Sequence, residues 1–310
     1  MKAVVINQYG GKDRLQEAEV PIPSIQDHQV LVQMKATSVN PIDWKLREGY
    51  LKDMLPFDFP IILGWDAAGI ITETGKSVKN FKVGDAVFAR PDTTRNGTYA
   101  EFVAIDEDKL ALKPPNVSFE EAASVPLAGL TAWQGLYDVL GLKAGEKILI
   151  HAGAGGVGSL AIQFAHHTGA YVATTASAEN GAFVKNLGAD MAIDYRTEHF
   201  EEILKDFDAV YDTLGGRIQS GSYQILKKGG RLVSIAEAPK QEEAEKYGVK
   251  ADFLWLQPNG KQLAEIGELL QSGTVKAIVG QTFPFSQQGV REAHALSESH
   301  HARGKIVITF

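Results

Sequence analysis

The segment Ile148-Leu149-Ile150-His151-Ala152-Gly153-Ala154-Gly155-Gly156-Val157-Gly158 places glycines at 153, 155 and 158, between an apolar run and the helical pattern of Leu160 to Ala165. That G-x-G-x-x-G spacing suits a dinucleotide pyrophosphate, because unpaired amides at a helix start face the anion and the helix dipole favours negative charge. In this reading Gly153 permits the tight turn, Gly155 lets the backbone approach the pyrophosphate, and Gly158 lets the helix pack on the sheet. Ala154, Gly156 and Val157 complete the cradle. A second apolar run from Tyr171 follows in strand order, which distinguishes the motif from a merely flexible glycine loop. It leads into Thr174-Thr175-Ala176-Ser177, with no Asp or Glu to bond a ribose 2′-hydroxyl. Hydroxyls able to donate to a 2′-phosphate stand there instead.

Such a loop needs a sheet beneath it. From Glu146 strand and helix patterns alternate: Lys147 to Ile150, a helix from Gly156 to Thr168, Tyr171 to Thr175, a helix to Leu187, Met191 to Ile193, Ala209 to Asp212, a helix near Ser220 to Leu226, and Arg231 to Ile235. This predicts an α/β domain with a parallel sheet covered by helices on both faces. The first hundred or so residues read instead as strands separated by turns: Lys2 to Ile6, Val30 to Ala36, Ala67 to Thr74, Ala86 to Ala89 and Tyr99 to Ile105, a spacing that suggests a barrel-like sheet. The rhythm changes near Lys113-Pro114-Pro115, where Ser118-Phe119-Glu120-Glu121 supplies a helix cap before an apolar-rich segment to Leu140. The expected domains are therefore 1–117, with 270–310 returning to it, and 118–269. Residues 237–249 read as a charged surface segment. Lys261 to Leu270 is amphipathic, Val275 to Val279 is strand-like, and a helical stretch from Gln287 to Ser299 precedes the final strand, Lys305 to Thr309.

The chain has 310 residues, 44% hydrophobic, which is ample for two packed domains and excludes a disordered or fibrous protein. Its formal charge is −7 with no basic block, so a nucleic-acid partner is not expected. Zero cysteines remove disulfides, thiolate nucleophiles and every cysteine-bearing zinc site. The start, Met1 to Asn7, turns polar too early for a secretion signal, and no stretch has the roughly 18 apolar residues of a membrane helix. A soluble, cytoplasmic protein is expected. His166-His167 and His300-His301 lack nearby acidic ligand spacing and read as solvated side chains. Ser159 falls after the glycine loop, not in a G-x-S-x-G elbow, which argues against a serine hydrolase.

With these residues in view the chain resembles the zinc-free quinone oxidoreductases of the medium-chain dehydrogenase/reductase superfamily. Besides the glycine loop the likeness rests on Val39-Asn40-Pro41-Ile42-Asp43, Gly64-Trp65-Asp66-Ala67-Ala68-Gly69, Val83-Gly84-Asp85, Gly129-Leu130-Thr131-Ala132, Leu187-Gly188-Ala189-Asp190, Ile193-Asp194-Tyr195 and Arg303-Gly304-Lys305. The resemblance implies a GroES-like β-barrel catalytic domain, a Rossmann domain carrying NADPH, substrate in the cleft where they meet, and a homodimer. It implies that Asn40 and Thr131 border the nicotinamide and that Ser177 and Tyr195 contact the 2′-phosphate; Tyr50, in a segment that borders the substrate cleft in that family, either orients or protonates the acceptor oxygen or packs as a half-buried tyrosine.

Two departures shape the expectation. Zinc-dependent relatives carry Gly-His-Glu where this chain has Gly64-Trp65-Asp66, so no metal site is expected. Many relatives carry Ser-x-x-Lys for the 2′-phosphate, whereas Ser177 is followed by Asn180; Arg303 or Lys305 is then the expected replacement cation. The implied activity is zinc-independent hydride transfer from NADPH to a quinone or other conjugated carbonyl. The alternatives are an enoyl or 2-haloacrylate-type double-bond reductase, or a cofactor-binding protein without turnover.

Overall fold

The computed structural model describes residues 1–310, which divide into two compact units. The first comprises Met1–Ala128, Pro258–Gly273 and Ala277–Phe310; the second comprises Gly129–Gln257 and Thr274–Lys276.

In the first unit the strand Gln29–Val39 pairs antiparallel with Ala67–Thr74, Phe102–Asp106 and Lys305–Thr309. The ladder continues through Ala86–Ala89 to Leu110–Leu112, and beyond Lys305–Thr309 to Val279–Pro284. Strand periodicity places Val30, Val32 and Met34 on one face, where they pack with Ile71, Val87, Val103 and Leu110. A smaller sheet of Gln16–Glu19, Lys2–Ile6 and Ile61–Ile62 lies in a second core with Leu46, Leu63, Trp65 and Tyr99.

In the second unit six parallel strands run in the order Met191–Asp194, Tyr171–Ala176, Lys147–Ile150, Phe207–Asp212, Leu226–Ser234, Lys250–Phe253. Numbered by their sequence within the unit this is 3-2-1-4-5-6, the doubly wound Rossmann order. Its direction reverses beside Lys147–Ile150, so the loop after that strand opens at the point where such sheets bind ligands. Strands covered on both faces need continuous apolar runs, and Phe207–Asp212 is buried throughout.

The boundaries differ from the expected 117/118 and 269/270, for visible reasons. The amide of Leu127 donates to Asp66 Oδ1 at 2.6 Å, which holds the segment after Ser118 to the first unit. Helix Gly260–Gln271 belongs there too, because Gly260 lies so close to the Leu110 carbonyl that a Cβ would approach it to 2.5 Å. The Ser118–Glu121 capping box forms in both directions, but the segment to Leu140 is not one helix. It runs as Phe119–Ala123, Pro126–Trp133 and a π-helical Gln134–Val139. The widening follows the point where the Tyr211 phenol donates to the Thr131 carbonyl at 2.6 Å, and a Cβ on Gly135 would strike that phenol ring. The charged 237–249 segment contains a helix, Gln241–Tyr247. The strand expected at 275–279 starts only at Val279, because both backbone groups of Lys276 are held by the Gln163 carboxamide, at 2.8 and 3.0 Å. No helix is long and apolar enough to cross a membrane.

Candidate functional site

After Lys147–Ile150 the chain turns through Ala152, whose φ of 51° places a residue with a side chain in the left-handed region. The tight turn expected of Gly153 is therefore made one residue earlier. Gly153 is required for another reason: a Cβ there would sit 2.1 Å from Thr174 Oγ1. At Gly158 a Cβ would sit 2.3 Å from the Ala152 carbonyl oxygen, so close packing of the helix start does require glycine. Gly155 behaves differently. Its nearest clash partner would be the Ala152 oxygen at 3.4 Å, an ordinary contact, so the protein's own packing does not demand glycine there. Gly155 caps helix Gly156–Thr168 without a side chain, and the amides of Gly156, Val157 and Gly158 have no acceptor within the protein. Three unpartnered donors with a cleared approach fit a pyrophosphate.

At the end of the neighbouring strand the hydroxyls separate by role. Thr174 Oγ1 donates to the Ile150 carbonyl at 2.7 Å and Thr175 Oγ1 accepts the Ala152 amide at 3.0 Å, so both brace the loop and are withdrawn from the phosphate role suggested by the sequence. Ser177 remains; its Oγ accepts from Asn180 Nδ2 at 3.1 Å, which leaves its own hydrogen to donate. The parallel register pairs Ala176 with Asp194, and the Tyr195 amide donates to the Ala176 carbonyl at 3.3 Å, so Tyr195 emerges beside Ser177. Tyr195 is 56% exposed, and the Arg196 guanidinium lies 5.7 Å from its ring centroid while pairing with Glu179 at 2.9 Å. Sequence reasoning missed this cation. The signal was its place directly after the Ile193-Asp194-Tyr195 motif.

In the first unit Asn40, Asp66 and Lys305 form one buried cluster. Asn40 Nδ2 donates to Asp66 Oδ2 at 2.7 Å, and Lys305 Nζ donates to Asn40 Oδ1, to the Val39 carbonyl at 3.1 Å and to Asp66 Oδ2 at 3.3 Å. Ser38 Oγ adds a further bond to Oδ2. The expectation that Lys305 supplies a free cation to the cofactor is therefore corrected: its three ammonium hydrogens all have acceptors, and the residue is 5% exposed. Arg303 is exposed on the same unit. Asn40 is 2% exposed, with one amide hydrogen and its oxygen engaged in the cluster. Thr131, in helix Pro126–Trp133 of the chain, is 5% exposed. Tyr50 is 72% exposed, its ring edge-on to Trp44 at 6.4 Å.

Three buried groups near these residues carry displaced pKa values. Burial lifts the Asp43 carboxyl to about 7, against the bonds it accepts from the Asn40 amide and the Tyr99 hydroxyl. Burial drops His151 to about 4, and burial together with Arg47 drops His294 to about 3. Between pH 5 and 6 the unfolded chain protonates both histidines while the folded chain keeps them neutral; Asp43 does the reverse. The unfolded state thus binds about one more proton, so stability should fall by about 1 kcal/mol as pH drops from 6 to 5. Asp43→Asn, which leaves only the histidines, should roughly double this loss. Urea unfolding at the two pH values checks it, and a stability that rises on acidification contradicts the assignment.

No three His, Cys, Asp or Glu side chains are grouped to hold a metal ion, and Asp66 is enclosed by hydrogen-bond donors. Residues 26–115 match the model of the alcohol dehydrogenase GroES-like domain, and residues 187–308 match that of the zinc-binding dehydrogenases. The chain is 37% identical to the chloroplastic NADPH-dependent alkenal/one oxidoreductase of Arabidopsis thaliana, over 99% of this chain and 79% of that protein. It superposes on the quinone oxidoreductase from Coxiella burnetii with a TM-score of 0.94 and 37% identity, covering 100% and 99% of the two chains. With the Escherichia coli quinone oxidoreductase complexed with NADPH the TM-score is 0.91 at 29% identity, covering 100% of each. Fold and motifs together define a medium-chain dehydrogenase/reductase. Within that superfamily the chain belongs to the zinc-free quinone oxidoreductase family.

Proposed function

We propose that this protein is an NADPH-dependent oxidoreductase that reduces a conjugated carbonyl compound, a quinone or an α,β-unsaturated ketone or aldehyde, without a metal. The observation that carries it is the glycine loop: three unpartnered amides at a helix start, beside a glycine that the protein's own packing does not require. Bound NADPH supplies the hydride. The chain supplies placement: Gly156, Val157 and Gly158 donate to the pyrophosphate, and Ser177, Tyr195 and Arg196 bind the 2′-phosphate. Arg196 here takes the part that the sequence reading assigned to Arg303 or Lys305. In the first unit Lys305 and Asp66 hold the Asn40 carboxamide rigid, which leaves one of its amide hydrogens for the nicotinamide or acceptor. Tyr50 offers an exposed hydroxyl to the acceptor oxygen.

The acceptor class follows from the donor set. Reducing a simple ketone develops a localised alkoxide, which a Lewis acid stabilises by several kcal/mol, and about 4 kcal/mol is roughly a thousandfold in rate. Trp65 and Asp66 replace the metal-binding pair of zinc relatives, so this chain cannot assemble that ligand set. A quinone or enone spreads the developing charge over its conjugated system, where orientation and one hydrogen bond suffice.

NADPH oxidation with a panel of quinones, enones and saturated ketones tests the proposal. Turnover is expected with the conjugated acceptors, at least about a hundredfold faster than with their saturated analogues, and unchanged after chelation. Cofactor binding without oxidation by any acceptor, or stoichiometric zinc whose removal stops turnover, would refute it.

A further inference from the structure

His151 and Thr175 flank the turn into the glycine loop and are buried, at 1% and 4% exposure. They belong to a run of hydrogen bonds whose direction is determined at each step. Ser222 Oγ donates to the Ile218 carbonyl at 2.7 Å, so toward His151 it accepts, and the 2.8 Å contact identifies an Nε2–H donor. Burial holds the imidazole neutral, so Nδ1 carries a lone pair. The Thr175 hydroxyl, 3.3 Å away, donates to that lone pair. With its hydrogen turned that way, Thr175 Oγ1 presents its own lone pairs to Ala152 and accepts the Ala152 amide at 3.0 Å. The Thr175 carbonyl also accepts the Gly153 amide at 3.0 Å. Ala152 is the residue held at φ 51°, a conformation that surrounding structure must impose on a residue with a side chain. Phe200 packs edge-on against the imidazole at 4.8 Å and closes the pocket.

We propose that His151 is a positioning residue for the cofactor's pyrophosphate: by fixing the direction of the Thr175 hydroxyl it locks the left-handed Ala152 turn, which aims the amides of Gly156, Val157 and Gly158. The inference rests on the dinucleotide reading above and deepens it. Because the pyrophosphate is common to both nicotinamide dinucleotides, the effect is the same for NADPH and NADH.

Thr175→Val removes the hydroxyl and keeps the shape, while Thr175→Ser restores it. Dissociation constants for NADPH and NADH, from quenching of protein fluorescence, are compared with the melting temperature of the free protein. Thr175→Val should raise both constants about tenfold, whereas Thr175→Ser stays within about twofold of wild type. A Thr175→Val protein that melts earlier but binds both cofactors within twofold of wild type overturns the proposal, since that is the behaviour of a merely structural contact. Should Thr175→Val fail to fold, two changes at His151 give the same contrast. His151→Asn keeps an acceptor toward Thr175, and His151→Gln keeps only a donor toward Ser222. Asn should bind cofactor more tightly than Gln; equal or reversed affinities overturn the proposal. A wild type that binds neither dinucleotide overturns the cofactor reading itself.

Discussion

Lys305→Met should destabilise the protein by about 3–5 kcal/mol while leaving the ratio of NADPH to NADH affinity unchanged. The ammonium is the only cation hydrogen-bonded to Asp66, whose side chain is 0% exposed. Removing it leaves a buried carboxylate with hydrogen bonds from Ser38, Asn40 and the Leu127 amide but no hydrogen-bonded counter-charge, only the through-space attraction of the buried Arg90 guanidinium. Methionine fills much the same volume, so the loss is electrostatic and not a cavity effect. For a chain of 310 residues the drop corresponds to a melting temperature lower by about 5–8 °C. A double variant, Asp66→Asn with Lys305→Met, removes both charges and should recover part of the loss. If Lys305→Met instead melted like wild type and lost NADPH selectively, the ammonium would be a cofactor cation and the buried cluster would have been misread.

This cluster shows where sequence reasoning stopped. Asn40, Asp66 and Lys305 were each visible in their motifs, yet they are far apart in the chain, and only the antiparallel pairing of Gln29–Val39 with Lys305–Thr309 brings Lys305 to Val39 and Asn40. Local pattern was sufficient for the second unit, because the strand-loop-helix alternation fixes a parallel sheet and the glycines sit next to the strand they follow. It was insufficient for roles inside the loop. Gly153 is explained by its contact with Thr174 on the neighbouring strand and Gly158 by its contact with the Ala152 carbonyl across the turn, and the turn itself falls on Ala152, which no glycine count would single out. The domain boundaries were misplaced for the same reason: the Leu127 amide and Gly260 are held by partners remote in sequence. His151 passed unnoticed beside the motif because its part depends on Ser222, a residue on a different helix.

Arg196→Gln should weaken NADPH binding by roughly 10- to 50-fold while changing NADH by less than about twofold. Ser177, Tyr195 and Arg196 converge at the ends of two adjacent strands, and the Lys expected three residues after Ser177 is Asn180. Charge-assisted contacts to phosphate are among the stronger hydrogen bonds, and with the Arg196 side chain 46% exposed the effect lies toward the weaker end of what such contacts give. Glu179 is the competitor. Its pairing with Arg196 is an exposed, solvent-screened ion pair, too weak to withhold the guanidinium from a phosphate carrying nearly twice the charge. Glu179→Gln should therefore tighten NADPH by no more than about fivefold and leave NADH unmoved. Titrations of both cofactors into wild type, Arg196→Gln and Glu179→Gln at two salt concentrations test this, since a phosphate contact weakens as salt rises and the rest of the dinucleotide is less affected. If Arg196→Gln shifts both cofactors equally, the residue supports the loop and does not read the phosphate. If it shifts neither, the cation lies elsewhere, and Arg303 becomes the next residue to replace.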